Sequence, residues 1–262
     1  MMKTIKVADG IFQLIFTIES DELGTEQDII LTVLQDGNRA LLIDSGYPEQ
    51  GRAARAALEA QGMRPEVVVL SHYHPDHAAG CVAFEDCEII AHPAYRRSYE
   101  FYKKVFPDQR YIEPTRLAVD RERFSFGRFE LQLMAMPGHS PDSLTTLIDG
   151  KIAHVGDLLA YDSAGRLTLP FLASGGDFSA FIASLERLSD LGAEVVLPSH
   201  GPHLHGRDAL QDATRQMIYY LERIVATRGQ ASLEDLLERP PEDYCGHSLH
   251  QKNLKRLRKM LA

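Results

Sequence analysis

Apolar and polar positions along the chain follow two different spacings, one typical of strands and one typical of helices. Short runs of β-branched and aliphatic residues recur and predict strands. One run, VVVL at residues 67–70, is apolar at every position, which indicates a strand buried on both faces. The other predicted strands lie within residues 4–16, 28–46, 87–93, 129–139, 144–150, 151–157 and 194–201. Within residues 28–46, the pair Asp36-Gly37 separates two apolar runs and predicts a β-hairpin.

Amphipathic stretches lie between these strands and predict helices. Residues 48–62 have Ala and Leu at helical spacing and end in Gly62. Residues 177–191 place Phe181, Leu185 and Leu188 on one face. Helices are also predicted at residues 93–104 and 207–228. Strands interrupted by helices predict an α/β fold in which helices cover sheets.

A boundary is predicted after the last long helix, at Gly229. Residues 229–262 have the pattern of two short helices separated by Pro240-Pro241. We therefore expect a main domain over residues 1–228 and a helical C-terminal extension over residues 229–262 that packs on the same domain. A total of 262 residues suits this organisation.

Composition narrows the classes of partner. The net charge of −9 disfavours nucleic acid as a partner, because an acidic chain repels phosphate. No apolar run approaches the roughly 18 residues that a membrane span needs. The sequence MMKTIKVADG has no signal-peptide pattern, so a cytoplasmic location is expected. Three cysteines without a C-x-x-C pair are expected to be reduced thiols.

The segment SHYHPDHAAG at residues 71–80 concentrates ligand-type side chains at the end of a predicted strand. His72 and His74 are two residues apart, so strand alternation would send both toward one metal. Asp76 and His77 follow Pro75, which turns the chain, and can face a second metal. Pairs of metals about 3.5–4 Å apart are a common hydrolytic device.

Three more candidate ligands follow other predicted strands. They are His139 in PGHSPDS, Asp157 in VGDLL and His200 in PSHG. Each has a glycine beside it, and glycine allows the backbone to approach a bound group closely. Active-site residues commonly collect in loops at strand ends of a rigid scaffold.

Together with LLIDSG at residues 41–46, these motifs resemble the metallo-β-lactamase superfamily of binuclear hydrolases, in their order and in their spacing. The resemblance implies a four-layer αββα sandwich with the metals at one edge of the two sheets. It also implies that Asp44 orients the ligand histidines from behind, with Ser71 and Ser199 as weaker candidates. By position, the implied ligands of the first metal are His72, His74 and His139, those of the second are Asp76, His77 and His200, and Asp157 bridges the two.

The implied activity is hydrolysis of a small ester, thioester or lactone by a hydroxide that bridges two zinc ions, with iron or manganese as alternative metals. Asp76 would orient the attacking water, and Tyr161 would hydrogen-bond the substrate carbonyl. Histidine at position 74, where the family's di-iron flavoproteins have glutamate, argues against oxygen reduction. Aspartate rather than cysteine at position 157 argues against antibiotic hydrolysis. Phosphodiester hydrolysis, a single-iron persulfide dioxygenase and a regulatory protein that retains the metal site stay open.

Two basic regions bear on the substrate. Residues 95–123 carry eight Lys or Arg, five acidic residues and six aromatic residues, and are expected to form a lid over the metals or a helix packed on the body. Residues 247–262 add five more basic residues and no acidic one. Both regions favour a small, anionic substrate such as a glutathione or coenzyme A thioester. An apolar patch on the C-terminal helix could support a homodimer.

Overall fold

The first seven strands form one mixed sheet in which they follow each other in chain order. The computed structural model describes residues 2–20 and 25–261. The strands are β1 (Met2–Ala8), β2 (Ile11–Ser20), β3 (Thr25–Asp36), β4 (Arg39–Ile43), β5 (Arg64–Val69), β6 (Glu88–Ala91) and β7 (Arg116–Leu117). Neighbours from β1 to β4 are antiparallel, and those from β4 to β7 are parallel.

The hairpin predicted within residues 28–46 is confirmed. Asp36 of β3 lies opposite Arg39 of β4, so Gly37 and Asn38 form the two-residue turn. Gly37 has a φ of 60°, a left-handed conformation that glycine adopts without a steric penalty. The turn therefore begins one residue later than the predicted pair.

The remaining strands form a second large sheet and a small one. They are β8 (Arg123–Phe126), β9 (Phe129–Ala135), β10 (Leu144–Ile148), β11 (Ile152–Gly156), β12 (Leu167–Thr168), β13 (Val195–Pro198), β14 (Leu204–His205) and β15 (Tyr244–Cys245). The second large sheet has the order β14-β13-β11-β10-β9-β8, and its β11 and β13 are parallel. The short strands β12 and β15 pair with each other.

Helices cover the outer faces of both large sheets. They are α1 (Pro48–Ala60), α2 (Pro75–Ala78), α3 (Tyr95–Val105), α4 (Phe178–Ser189), α5 (Arg207–Ala226), α6 (Leu233–Leu236) and α7 (His247–Leu261). Asp177 caps α4, since its carboxylate accepts a hydrogen bond from the backbone N–H of Ala180. Among the described residues, no helix is long and apolar enough to cross a membrane.

Three hydrophobic clusters define the layers. Leu41 and Val69 of the first sheet pack with Leu131 and Leu133 of the second, so the two sheets face each other. A second cluster joins the first sheet to α1 and α3, and a third joins the second sheet to α4 and α5. The predicted four-layer αββα sandwich is therefore confirmed.

The C-terminal residues pack on the helical layer over the second sheet. Leu236, Tyr244, Leu254 and Leu257 belong to the same hydrophobic cluster as α4 and α5. The predicted pair of short helices differs from the structure in length, because α6 spans four residues and α7 spans 15. The larger helix forms because its leucines give it a continuous buried face. The division into residues 1–228 and 229–262 stays a prediction.

Candidate metal centre

The side chains singled out in SHYHPDHAAG lie where β5 ends. His72 and His74 are in the loop that follows β5, and α2 begins at Pro75 and carries Asp76 and His77. Proline suits the first position of a helix, because its missing N–H would have no partner there. The proline thus turns the chain directly after His74 and aims the next two side chains differently.

The other three candidates reach the same place from the second sheet. His139 lies in the loop after β9, Asp157 directly follows β11, and His200 lies two residues beyond β13. Because β11 and β13 are parallel neighbours, their carboxyl ends meet at one edge of the sheet. The structure therefore brings all seven predicted ligand residues together, in two groups.

The first group consists of His72, His74, His139 and Asp157, whose ligand atoms lie within 4.8 Å of one another. His139 Nε2 lies 3.2 Å from His72 Nε2 and 3.1 Å from His74 Nδ1. Asp157 Oδ2 lies 3.5 Å from His139 Nε2 and 3.8 Å from His72 Nε2. Three imidazole nitrogens and one carboxylate oxygen thus converge.

The second group consists of Asp76, His77 and His200. Asp76 Oδ2 lies 3.4 Å from His200 Nε2 and 3.5 Å from His77 Nε2. Asp157 Oδ1 lies 3.3 Å from His200 Nε2 and 3.5 Å from His77 Nε2. Asp157 therefore presents one carboxylate oxygen to each group, as a carboxylate between two cations would.

Acceptors behind the histidines fix the orientation of three rings. His139 Nδ1 donates to the Phe171 carbonyl at 2.8 Å, and His200 Nδ1 donates to the Asp28 carbonyl at 2.7 Å. His77 Nδ1 donates to Asp44 Oδ2 at 2.8 Å. With a proton held on Nδ1, each Nε2 points into the centre as the nitrogen that would bind a metal.

The Asp44 carboxylate accepts four hydrogen bonds behind the second group. Besides His77, it accepts from the Ser71 backbone N–H at 2.7 Å, from Ser71 Oγ at 2.8 Å and from Ser199 Oγ at 2.8 Å. The predicted contacts of Asp44, Ser71 and Ser199 are therefore present. Asp44 has a φ of 65°, a left-handed conformation that aspartate tolerates better than most residues.

The charge of the site differs between the two groups. Burial, together with the neighbouring His139, lowers the pKa of His74 to about 3. Burial alone would lower the pKa of His200 as well. The negative charges of Asp157 and Asp76 outweigh this effect and raise the pKa of His200 to about 10. Burial opposes ionisation of Asp157, yet His200 and His77 hold its pKa well below the usual range. The carboxylates are therefore ionised and give the centre negative charge that a cation would neutralise.

Several buried atoms lack the partners that a metal would supply. His77 Nε2 and Asp157 Oδ1 have no hydrogen-bond partner among the described residues. The lone pair of His139 Nε2 faces the nitrogens of His72 and His74. Unpaired buried polar atoms are costly, and a divalent cation held by each group would satisfy them. Imidazole and carboxylate are ligands of zinc, iron and manganese, so the residues fit a metal centre.

A cavity of about 410 Å³ opens onto both groups. His74, Asp76, His139, Asp157 and His200 line it at the metal centre. The rest of its wall comes mainly from β2, α3, the segment around β12 and the C-terminal helices, and includes Ile18, Glu19, Gln27, Tyr47, Tyr102, Phe106, Ala160, Thr168, Leu169, Pro170, Phe171, Met217 and Leu249. A small organic molecule can therefore reach both groups of predicted ligands.

The structure does not bring the Tyr161 side chain to this cavity. The ring is 7% exposed and packs in the hydrophobic cluster of the second sheet and its helices. Its backbone N–H donates to the His200 carbonyl at 3.1 Å, which supports the loop that carries this histidine. Tyr102, one of the aromatic residues of the lid that the sequence predicts within residues 95–123, lines the cavity, and its ring lies 5.5 Å from the His74 ring.

The basic aromatic segment at residues 95–123 is divided between core and cavity. Tyr95, Tyr99 and Tyr111 are buried in the cluster beneath the first sheet. Tyr102 and Phe106 line the cavity. The packed helix and the lid, which the sequence left as alternatives, are thus both partly present in one segment.

Comparisons with known proteins agree with this geometry. A model of the metallo-beta-lactamase superfamily matches residues 30–200, which include all seven predicted ligand residues. The chain is 29% identical over 213 residues to the acyl-coenzyme A thioesterase MBLAC2 of Gallus gallus, a match over 68% of this chain and 74% of the relative. It is 26% identical over 176 residues to the hydroxyacylglutathione hydrolase of Xanthomonas euvesicatoria, a match over 66% of this chain and 60% of the relative.

Solved structures share the fold. A metallo-beta-lactamase from Pontibacter korlensis superposes with a TM-score of 0.65 at 18% identity, covering 82% of this chain and 99% of that chain. The curated relatives are longer than the match, since the chain spans about half to three quarters of their length.

Proposed function

The chain belongs to the metallo-β-lactamase superfamily, and on this basis we propose that it is a metal-dependent hydrolase of small thioesters. The observation that carries the proposal is the position of Asp157, which presents one oxygen to each of two ligand groups beside an open cavity. Esters and lactones share the reacting carbonyl and are the nearest alternative substrates.

Two zinc ions are the proposed cofactors, and iron or manganese would suit the same donors. His72, His74 and His139 would hold the first ion, Asp76, His77 and His200 the second, and Asp157 both. Metal bound there would polarise the substrate carbonyl and lower the pKa of water.

The chain's own residues position and activate the reactants. The Asp76 carboxylate lines the cavity, and its pKa lies well below the usual range: burial opposes ionisation, but His77 and His200 stabilise the charge. At neutral pH it can therefore accept a hydrogen bond from the attacking water and orient it. The apolar walls of the cavity limit competing solvent.

A thioester suits this site because of its leaving group. A thiol has a pKa of about 8.5, so the departing thiolate needs little protonation at neutral pH. An alkoxide leaving group would call for a general acid beside the carbonyl. The names of the two relatives describe hydrolysis of an acyl-coenzyme A and of an acylated glutathione, and both of these substrates are thioesters. We propose the same class for this chain.

The remaining expectations accompany this proposal. We propose that the protein acts in the cytoplasm on a small, anionic molecule, without nucleic acid or a membrane as a partner. Met260 and Leu261 near the end of α7 are 45% and 58% exposed, which supports a homodimer through this helix.

The proposal is tested first by metal content and then by a substrate panel. Plasma mass spectrometry is expected to find about two metals per chain. With that metal, a short acyl-coenzyme A should be hydrolysed with a kcat/KM at least about ten times that for a lactone or for bis-p-nitrophenyl phosphate, a barrier difference of roughly 1.4 kcal/mol. About one iron per chain with persulfide oxidation, or phosphodiester cleavage alone, would overturn the thioesterase assignment.

Removing the phenolic hydroxyl of Tyr161 is expected to keep the metals and to change kcat/KM by less than about twofold, because the ring lies in the core. Tyr102→Phe is the matched comparison, since it removes the same atom from a ring that lines the cavity. It should lower kcat/KM about three- to tenfold, the effect of one lost hydrogen bond. Steady-state kinetics measure kcat/KM for both variants. A larger loss of kcat/KM in Tyr161→Phe than in Tyr102→Phe would place the Tyr161 hydroxyl at the substrate.

A further inference from the structure

The cavity beside the metal centre has an apolar side. Five of its lining residues, Leu169, Pro170, Phe171, Met217 and Leu249, come from the segment after β12 and from helices α5 and α7. We call this group the apolar branch. Leu169, Met217 and Leu249 are only 2–3% exposed, so the protein encloses most of each side chain.

The apolar branch begins directly beside the first group of metal ligands. The Phe171 ring lies 5.7 Å from the His139 ring, and the Phe171 carbonyl accepts the His139 Nδ1 proton. A group attached to a carbonyl carbon at the metal centre can therefore extend straight into the branch.

The cavity also has a polar and more exposed part, which we call the open side. Glu19 and Gln27 of β2 and β3 bring polar groups to it, and Phe106 at the end of α3 is 45% exposed. A large polar group can stay hydrated on this open side. The exposed Lys252 ammonium lies 5.3 Å from the Phe171 ring centroid, which places positive charge near the junction of the two sides.

We propose that the apolar branch binds the linear, saturated acyl chain of the substrate, while the anionic thiol carrier remains on the open side. This inference rests on the proposed function and names its substrate class. Each methylene that leaves water for such a surface gains a similar increment of binding free energy. A polar carrier gains no such free energy in the branch, because it would lose its hydrogen bonds to water and find no replacement for them there.

The test is direct binding of linear carboxylates, from acetate to decanoate, to the zinc-loaded protein by calorimetry. Affinity is expected to rise about three- to fourfold per methylene until the branch is full, and then to level off. Met217→Trp should move that plateau to shorter chains, whereas the volume-conserving Met217→Leu should leave it in place. Leu249→Phe fills the same space from α7 and replaces Met217→Trp in the test if Met217→Trp does not fold.

The outcomes separate the branch from the reaction. Affinity independent of chain length would overturn the inference even if thioesters are hydrolysed. The inference about the apolar branch is supported if affinity rises with chain length and if the plateau shifts in the filled variants. It is supported even if no thioester is cleaved, and in that case only the proposed function fails.

The fully buried side chain of Asn253 on α7 carries a second inference. Its Nδ2 donates to the Pro170 carbonyl at 2.6 Å, and its Oδ1 accepts from the Leu172 backbone N–H at 3.2 Å. These two residues flank Phe171, whose carbonyl holds His139. The Ala173 N–H donates to the His139 carbonyl at 2.9 Å, so the same loop also holds the ligand's backbone.

We infer that Asn253 positions His139 and thereby tunes the affinity of the first metal group. The amide is itself fixed, because it also donates to Tyr220 Oη at 3.1 Å, and this oxygen lies 2.9 Å from His250 Nδ1. Residue 253 lies outside the segment that matches the family model. The C-terminal helix thus takes part in the metal centre through one loop.

Asn253→Leu keeps the size of the side chain and removes both loop bonds. In a His200→Ala background, where the first group alone binds zinc, it should weaken binding about tenfold, the low end for loss of an outer contact. In a His72→Ala background, which leaves the second group, the change should stay below about twofold. Competition with a chromophoric chelator measures the zinc affinity in both backgrounds.

Leu257→Ala is the structural control, because it removes a buried side chain from the same helix and leaves both hydrogen bonds between Asn253 and the loop in place. Equal losses in the two backgrounds, or the same selective loss caused by Leu257→Ala, would overturn the positioning role. Thermal unfolding of the metal-free variants confirms that the comparison is made between folded proteins.

Discussion

Asp157→Ala is expected to abolish hydrolysis and to lower the affinity of both metals together. Its two oxygens lie 3.3–3.8 Å from His72, His77, His139 and His200, so one substitution removes a ligand from each group. Loss of outer contacts alone typically costs 10- to 100-fold in metal affinity, so loss of a shared ligand should exceed about 100-fold at each site. Metals per chain and kcat are measured on the same sample.

Asp162→Asn is a suitable control, because Asp162 is a buried carboxylate only five residues further along the chain. Its carboxylate accepts from Arg166 and from backbone N–H groups, and among the described residues it forms no hydrogen bond or ion pair with either ligand group. This variant should keep both metals and its activity. If Asp157→Ala retained two metals while losing activity, the carboxylate would act on substrate and would not bridge the two groups.

The sequence allowed the ligand residues to be predicted because the physical constraint on them is local. His72, His74, Asp76 and His77 lie within six residues, and a strand end followed by proline leaves few ways to arrange them. The other three follow apolar strands whose carboxyl ends must meet at a sheet edge. Strand periodicity and turn chemistry, both readable from short windows, therefore determine most of the centre.

What could not be predicted depends on packing between distant segments. Met217 shares the spacing of a core helix residue, and nothing in that pattern says that a cavity reaches it. Asn253 lies more than a hundred residues from His139, and only the fold places its amide on the loop that holds this histidine. Tyr161 shows the converse, since proximity to Asp157 in the chain does not carry its side chain to the cavity.

Asp44→Ala is expected to have the second largest effect, on stability as well as on the metals. The carboxylate is 1% exposed and accepts four hydrogen bonds, from the Ser71 backbone and hydroxyl, the Ser199 hydroxyl and His77. Truncation leaves these buried donors unpaired and places alanine at a φ of 65°. The free energy of unfolding should fall by about 3–5 kcal/mol, as for a broken buried charged pair. Denaturant unfolding of the metal-free protein measures it.

Two further variants separate the contribution of the Asp44 charge from that of its shape. Ser199→Ala removes one of the four bonds and should cost about 1 kcal/mol, with little change in metal affinity. Asp44→Asn keeps the shape and the left-handed backbone but removes the charge that faces His77. It should weaken the second metal about 10- to 100-fold, because His77 loses the negative charge that raises its basicity. If Asp44→Asn bound that metal as tightly as the unmodified chain, Asp44 would act on the fold alone. The ligand groups would then owe their geometry to the strand ends and not to the hydrogen bonds behind them.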